Sequence, residues 1–575
     1  MSEKPLADAA HPRWRTVGWA VLVAAFAVGF VGFPMRVVGW RFDYLPGDDI
    51  DNPLNNFVLE HGYRCLSGRA ESFWNVPSYY PQPRVTGWSD AHLGMLPVYA
   101  ALRACGLSPE RAFQGHFLIP FPLNFIAAAW ALRRLGFGPF GTAAGAYVFT
   151  FGLPLVAQLI HTQLFPRFLV PPAVVFAWEY LRAPRAWRLA AVAACAVGQT
   201  YLSVYLGYFL GLLLATGFAF SAARFGRQLP WRALLTAGGR DWGKPALVVA
   251  VAAVALVPLG VGHTRGAGTP PREQAWILAP PAGAWLTPPA AAALHTHLGE
   301  ATGMRAVVGE RQLVPGLVAL AAVAVGLALV VRPGPFGGPR AAVAVAAWSA
   351  VLPALVVTRF DDVWLYAPVT HLPGLGGIRA IGRVVLVLLF PVGVALAGGV
   401  DALVARAGRS GRAPARLAGA LALALVVADN WLTGPGGARA EDWSRLRYPL
   451  EHTLARQALI GDAIRRQPGA TLVYVFPSIA ENKLEGRLVV QVEAMRAAQD
   501  LGIPCVNGWS GYLPPHWDYF RGYRGLMEWL TVQHATPERA LAGLVVIGEP
   551  VPDADPQYEA AMRAAFPPRA VAPPP

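Results

Sequence analysis

Directly after the first long apolar run of this chain, Asp43, Asp48, Asp49 and Asp51 place four carboxylates within nine positions. Acids so close together can take a proton from a hydroxyl nucleophile, or hold a divalent cation (Mg or Mn) through oxygen ligands. Asp49 is the first choice for the base and Asp48 the second, while Asp48 and Asp51 are the candidate cation ligands. A solvated acidic loop accounts for the same cluster without chemistry. Downstream come Phe73, Trp74, Tyr79, Tyr80, Pro81, Trp88, Ser89, Asp90 and His92. Such a stretch suits a wall against a carbohydrate, with Tyr80, Trp88 and Asp90 as contacts, and it equally suits an aromatic belt at a membrane surface.

Further along, Arg379 and Arg383 lie four apart, on one face if helical. Their guanidinium forks match a lipid phosphate, and the same side chains also anchor helices by snorkelling. His161 and Arg167 flank a turn between apolar runs and are candidates for lining the same cavity. His295 and His297 form a His-x-His pair with only Glu300 near in sequence, too few ligands for a metal set. Asp361 and Asp362 read as an exposed turn. The Asn507 to Pro514 segment, rich in Gly, Pro and aromatics, reads as a loop with tight turns, either over a cavity or structural.

The elements that must carry these groups are membrane spans. Only 14% of the 575 residues are charged and 55% are apolar, and runs such as Leu313 to Val331 approach the roughly 20 residues needed to cross a bilayer. The net charge of +14 comes almost wholly from arginine, because Lys occurs only at positions 4, 244 and 483. These arginines sit in short clusters between apolar runs, the pattern of cytoplasmic loops, which excludes nucleic-acid binding as their purpose. The four cysteines have neither CxxC nor Cys/His spacing and define no zinc site or disulfide framework.

Counting runs and testing the count against the arginines gives about eleven spans. The first, Val17 to Phe33, is an uncleaved helix. Leu189 to Ala223 must turn back as a tight hairpin near Tyr201 to Gly207, since arginine follows both ends. Prolines 120, 122, 154, 171 and 172 are expected to kink their spans. The N-terminus is then cytoplasmic and the C-terminus extracytoplasmic, with residues 34–112 forming a large first outer loop. Residues 1–432 form the membrane domain. Beyond it charge density rises and strand-length runs appear (Thr471 to Phe476, Cys505 to Val506, Leu544 to Ile547) between helical segments, so residues 433–575 are expected to fold as a small extracytoplasmic α/β domain with a frayed end.

Gly47-Asp48-Asp49-Ile50-Asp51 after the first span, followed by Tyr80-Pro81 and Ser89-Asp90, resembles the GT-C superfamily of integral-membrane glycosyltransferases, and in particular bacterial YfhO-like membrane proteins. His161-Thr162-Gln163, Leu372-Pro373-Gly374, Ile378-Arg379-Ala380 with Arg383, and the segment from Val506 to Pro514 are similar to the same group. The resemblance implies an all-α polytopic fold in a bacterial plasma (inner) membrane. It implies transfer of a sugar from a polyprenyl-phosphate donor to an envelope glycan, lipid or protein on the outer face, the first-loop acid acting near acceptor or metal. Asp-Asp-x-Asp departs from the Asp-x-Asp, Asp-Glu or single Asp of other members, which leaves the metal open. Two other readings remain: a transporter or flippase, which needs ionisable groups mid-span, and a GT-C-like envelope-assembly protein without catalysis.

Overall fold

The computed structural model describes residues 12–264, 272–289, 291–294, 309–332, 334–371, 378–433, 446–477, 484–511, 513–514, 517, 520–533 and 541–569. The chain divides into two units. One holds residues 1–40, 116–257 and 270–446, and the other residues 41–115, 258–269 and 447–575.

The first unit is helical. Among the described residues seven helices are long and apolar enough to cross a membrane: Gly18–Val38, Pro109–Arg134, Pro139–Gln158, Val204–Gln228, Gly243–His263, Pro339–Val357 and Ile381–Ser410. These seven do not by themselves confirm the expected count of about eleven. The segments expected at Leu164 to Leu181 and Leu313 to Val331 form helices of only 13 and 12 residues, Val170–Arg182 and Leu317–Ala328. Ala186–Leu202 and Arg412–Asp429 are helices too, outside the seven. Pro139–Gln158 ends in the 3-10 turn Leu153–Gln158, and Thr162–Leu164 is a second 3-10 turn before Val170–Arg182. Proline explains part of this. Pro171 stands at a helix start, where the missing N–H costs nothing, while Pro120 marks the break within Pro109–Arg134 between Pro109–Leu118 and Pro120–Arg134. The hairpin is where it was expected: Ser203 is extended (φ −162, ψ 129) between Ala186–Leu202 and Val204–Phe225.

Val385–Ala407 is buried along its first half, with Val385 to Ala397 enclosed throughout. Its apolar side chains on every face are what a central helix requires. It crosses Pro139–Phe151 at backbone distance, for a Cβ on Gly145 would lie 2.5 Å from the Gly393 carbonyl oxygen and one on Gly393 2.7 Å from that of Gly145. Small residues at such a crossing let two backbones meet. Two carboxylates finish helix ends: Asp401 Oδ2 accepts the Gly138 N–H at 2.7 Å, and Asp429 accepts those of Leu317 (3.1 Å) and Val318 (2.9 Å). Each satisfies orphan donors and complements the positive end of a helix dipole. Leu247, Val249, Val251 and Val254 of Gly243–His263 point outward, as a lipid-facing surface does.

In the second unit the first loop and the tail share one core. Leu54, Phe57, Val58, Val76, Tyr79 and Trp88 pack with Ile464, Tyr474, Met495, Val506, Trp517 and Trp529. By compactness residues 447–575 group with residues 41–115 and 258–269. Tyr44–Pro46 pairs antiparallel with Arg447–Pro449, Leu45 opposite Tyr448. Leu472–Val475 pairs parallel with Leu544–Ile547, and all four residues of the former are buried, the continuous apolar run of a covered parallel strand. Cys505 joins through a single bridge to Val473. The helices Leu450–Arg465, Leu484–Leu501, Tyr523–Val532 and Pro556–Ala565 complete the unit's tail portion.

Candidate functional site

The acidic turn leads into the helix Asp51–Leu66, and the three acids around its start are held differently. Asp48 Oδ1 accepts the backbone N–H of Asp51 at 2.9 Å and of Asn52 at 3.3 Å, so its carboxylate caps the first turn. Asp51 Oδ1 accepts the indole N–H of Trp509 at 2.8 Å. Asp49 instead faces Arg456, its Oδ2 3.5 Å from Nη2, with the two side chains 39% and 35% exposed. Arg456 is itself gripped by Glu493 from Leu484–Leu501. Of the three, Asp49 is the carboxylate committed to a loose ion pair rather than to a backbone or indole donor.

The Asn507 to Gly511 loop belongs to this same unit and closes on the first loop. Asn507 behaves like a strand residue, accepting the Val475 N–H (2.8 Å) and donating to the Val475 carbonyl (2.9 Å) and to Gln491 (2.9 Å). Its own carbonyl accepts the Tyr79 N–H at 3.1 Å. Gly508 lies so close to the Tyr79 ring that a Cβ would stand 2.4 Å from it, which excludes every other residue type without a shift. Ser510 and Ser89 hydroxyls meet at 3.1 Å, and Ser89 also accepts the Gly511 N–H at 2.8 Å. Three motifs far apart in sequence therefore meet: the acidic turn, the Ser89-Asp90 pair and the tail loop.

The aromatic wall is mostly interior. Tyr79 is fully buried between Trp88 (5.3 Å) and Trp517 (4.8 Å), and Trp88 is only 7% exposed. Tyr80 is partly buried against the same core and its carbonyl accepts the Trp529 indole N–H at 2.9 Å. Asp90 is partly exposed, and His92 is buried with Nε2 3.0 Å from Asn55 Oδ1. Trp88 has its place in the core, so the expected exposed ring contact with a sugar is not available to it.

In the helical unit the candidates gather around a residue the sequence reading passed over, Glu310. His161 Nε2 lies 2.6 Å from its Oε1, and Arg383 donates through Nε to Oε2 (2.8 Å) and through Nη2 to Oε1 (3.0 Å). Gln158 donates to the Glu310 backbone carbonyl at 3.1 Å, and the Arg383 guanidinium lies over the Tyr205 ring at 4.8 Å. Burial works to raise the Glu310 pKa, but the charges of Arg383 and His161 and their hydrogen bonds hold it well below the usual carboxylate range. Arg379 does not share a helical face with Arg383. It precedes the 3-10 turn Ile381–Val384 and donates to Gln274 Oε1 at 2.9 Å. Arg167 is fully enclosed, bonded to the Leu386 carbonyl at 3.1 Å and stacked over Phe149 at 4.8 Å, the surroundings of a structural cation. A lone acid in a loop beside Arg311 carried no spacing signal that would have singled out Glu310.

Asp361 and Asp362 form the turn of a small hairpin, Arg359–Phe360 with Val363–Trp364, with Asp361 at φ 47. His295, His297 and Glu300 lie outside the described residues, as does Leu372-Pro373-Gly374. No group of three or more His, Cys, Asp or Glu able to hold a metal ion occurs among the described residues. With Asp48 tied to two N–H groups and Asp51 to an indole, the first-loop acids do not fit a cation cage.

No protein-family model and no curated protein matches the chain. Solved structures similar to it include the following three. The oligosaccharyltransferase of Archaeoglobus fulgidus in its apo form aligns at TM-score 0.44 and 13% identity, over 78% of this chain and 58% of that one. ArnT from Cupriavidus metallidurans bound to undecaprenyl phosphate aligns at TM-score 0.42 and 11% identity, over 86% and 90%. The oligosaccharyltransferase AglB of Archaeoglobus fulgidus, in complex with an inhibitory peptide and a dolichol-phosphate, aligns at 0.40 and 11%, over 86% and 64%. The chain thus spans about three fifths of the length of the two oligosaccharyltransferases. At TM-scores below 0.5 these likenesses are loose and carry no functional argument.

Proposed function

We propose that this protein is a multi-pass glycosyltransferase of the bacterial inner membrane, working on the extracytoplasmic face. It takes a sugar from a polyprenyl-phosphate donor and delivers it to an envelope glycan, lipid or protein. Asp49 acts as the base, taking the acceptor's hydroxyl proton as the new glycosidic bond forms and the bond from the anomeric carbon to the donor phosphate breaks. The electron pair of that bond leaves on the phosphate, whose charge calls for cationic donors. Arg379 and Arg383 are assigned to donor recognition. No cation enters the reading, given how Asp48 and Asp51 are held.

The observation that carries the proposal is the division of labour among the first-loop acids. Asp49 alone of Asp48, Asp49 and Asp51 is held by nothing firmer than a half-exposed arginine at 3.5 Å, so it has an oxygen to offer a hydroxyl. The likeness of the whole first-loop motif to GT-C proteins points the same way. A transporter is not favoured: Asp401 and Asp429 are engaged as helix caps and Glu179 is bonded to Arg134 at 2.6 Å, rather than standing ready along a path. The test is transfer by the purified protein from a panel of radiolabelled polyprenyl-phosphate sugars, wild type beside Asp49→Asn. Loss of transfer in a folded variant is expected, and transfer at the wild-type rate refutes the assignment.

A further inference from the structure

The helical unit contains a cavity of about 160 Å³ that the reaction above does not use. Leu135, Trp178, Leu213, Gly217, Ser221 and Val345 are among its lining residues, and almost every atom presented to it is apolar. A space of this size and lining suits a short apolar segment, about the size of the guests that engineered cavities of about 150 Å³ take. One feature is out of keeping with a purely apolar guest. Ser221 is fully buried, lines the cavity, and its hydroxyl has no hydrogen-bond partner among the described residues. Serines inside helices normally bond the carbonyl four residues back, as Ser349 across the same cavity does to Val345 at 2.6 Å. A buried hydroxyl left unpaired is costly, so the guest should bring an acceptor to it.

The surroundings supply a sign of charge. Leu135, Leu181 and Leu189 of the lining adjoin the arginines at 133, 134, 182, 185 and 188, against which the only carboxylate between positions 133 and 188 is Glu179. Glu179 is already bonded to Arg134 at 2.6 and 3.1 Å, and Arg182 and Arg185 are exposed. An apolar pocket, a hydroxyl donor unpaired among the described residues and the exposed cations Arg182 and Arg185 together describe the parts of one molecule: chain, ester carbonyl and anionic headgroup.

We infer that this cavity is a binding site for an anionic glycerophospholipid, held by one acyl chain in the cavity, its ester carbonyl on the Ser221 hydroxyl and its phosphate at the Arg182 and Arg185 rim. A polyprenyl phosphate has chain and charge but no ester carbonyl, so it leaves Ser221 unpaired and is not the occupant. The inference is independent of the proposed transfer reaction.

The test is native mass spectrometry of the full chain, delipidated in detergent and titrated with dioleoyl-phosphatidylglycerol, with its diether analogue, and with undecaprenyl phosphate. One phosphatidylglycerol per chain is expected, with the diether retained about fivefold more weakly, the worth of one hydrogen bond. Ser221→Ala, which changes no shape, should make ester and ether equal. Ala177→Leu, which fills the cavity, should lower retention of both at least tenfold, and Arg182→Gln with Arg185→Gln should reduce the preference over phosphatidylcholine. Equal binding of ester and ether by the wild type, indifference to Ala177→Leu, or displacement of the phospholipid by undecaprenyl phosphate would each overturn the inference.

Discussion

Asp48→Ala and Asp49→Asn, one residue apart, should fail in opposite ways. Asp48 Oδ1 receives two N–H groups at the start of Asp51–Leu66, so removing it is the loss of a helix cap, about 1 kcal/mol within a range of roughly 0.5–2. In a unit of roughly 150–250 residues that lowers the melting temperature by about 2–4 °C. Transfer at a permissive temperature should stay within about twofold of wild type, because the turn re-forms without its cap. Asp49 contributes little to stability, since its pair with Arg456 is 3.5 Å long and about two fifths exposed, a geometry worth about 0–1 kcal/mol. Asp49→Asn should therefore melt within about 2 °C of wild type while transfer falls by about 10² to 10⁴, the range of a lost general base. Differential scanning fluorimetry and transfer from the radiolabelled donor panel, on the same purified protein in nanodiscs, read the two quantities together. Transfer abolished by Asp48→Ala well below its melting temperature, or retained by Asp49→Asn, would refute the division of roles.

Other outcomes follow from the same geometry. Glu310→Gln removes the partner of an Arg383 that is only 10% exposed, and should cost roughly 2–3 kcal/mol, below the 3–5 of a fully buried pair because Glu310 itself is 27% exposed. Since the Glu310 pKa is depressed, its contribution is complete above the ordinary carboxylate range and is lost as pH falls through the lower folded value. The gap in melting temperature between wild type and Glu310→Gln should thus be constant from about pH 5 to 8 and close only in stronger acid. Transfer, once a donor is found, should survive chelator treatment, measured with and without added Mg or Mn. A membrane-impermeant maleimide at about pH 8 should label exposed Cys105 from one side of intact cells or inverted vesicles. It should leave Cys505 untouched until the protein unfolds, because burial both hides that thiol and raises its pKa.

The features legible in the sequence were those written in short-range patterns. Apolar runs bounded by arginine located the long helices, and the hairpin broke at Ser203, inside the interval that charge bookkeeping demanded. Proline left some of the expected spans short. Val170–Arg182 begins only where Pro171 can stand in a first turn, and the preceding apolar residues go into 3-10 turns that no hydropathy window separates from a span. The tail's strands were readable as β-rich apolar runs. That their core would include Phe57, Tyr79 and Trp88 from the first loop was not, because nothing local at position 79 announces a partner more than four hundred residues away.

The candidate site divides along the same line. Three adjacent aspartates are visible as a cluster, but which one caps, which accepts an indole and which stays half exposed depends on where a helix starts and where Trp509 arrives, both set by tertiary structure. Glu310 is the sharper case. It carries no motif, yet it is bonded to both His161 and Arg383, residues whose placement had made them candidates for one cavity. A buried guanidinium needs partners, which for Arg167 are a carbonyl and an aromatic ring and for Arg383, only 10% exposed, are the carboxylate oxygens of Glu310. The search that would have found Glu310 therefore starts from the buried charge and asks what neutralises it, instead of starting from the acids and asking which lie close together.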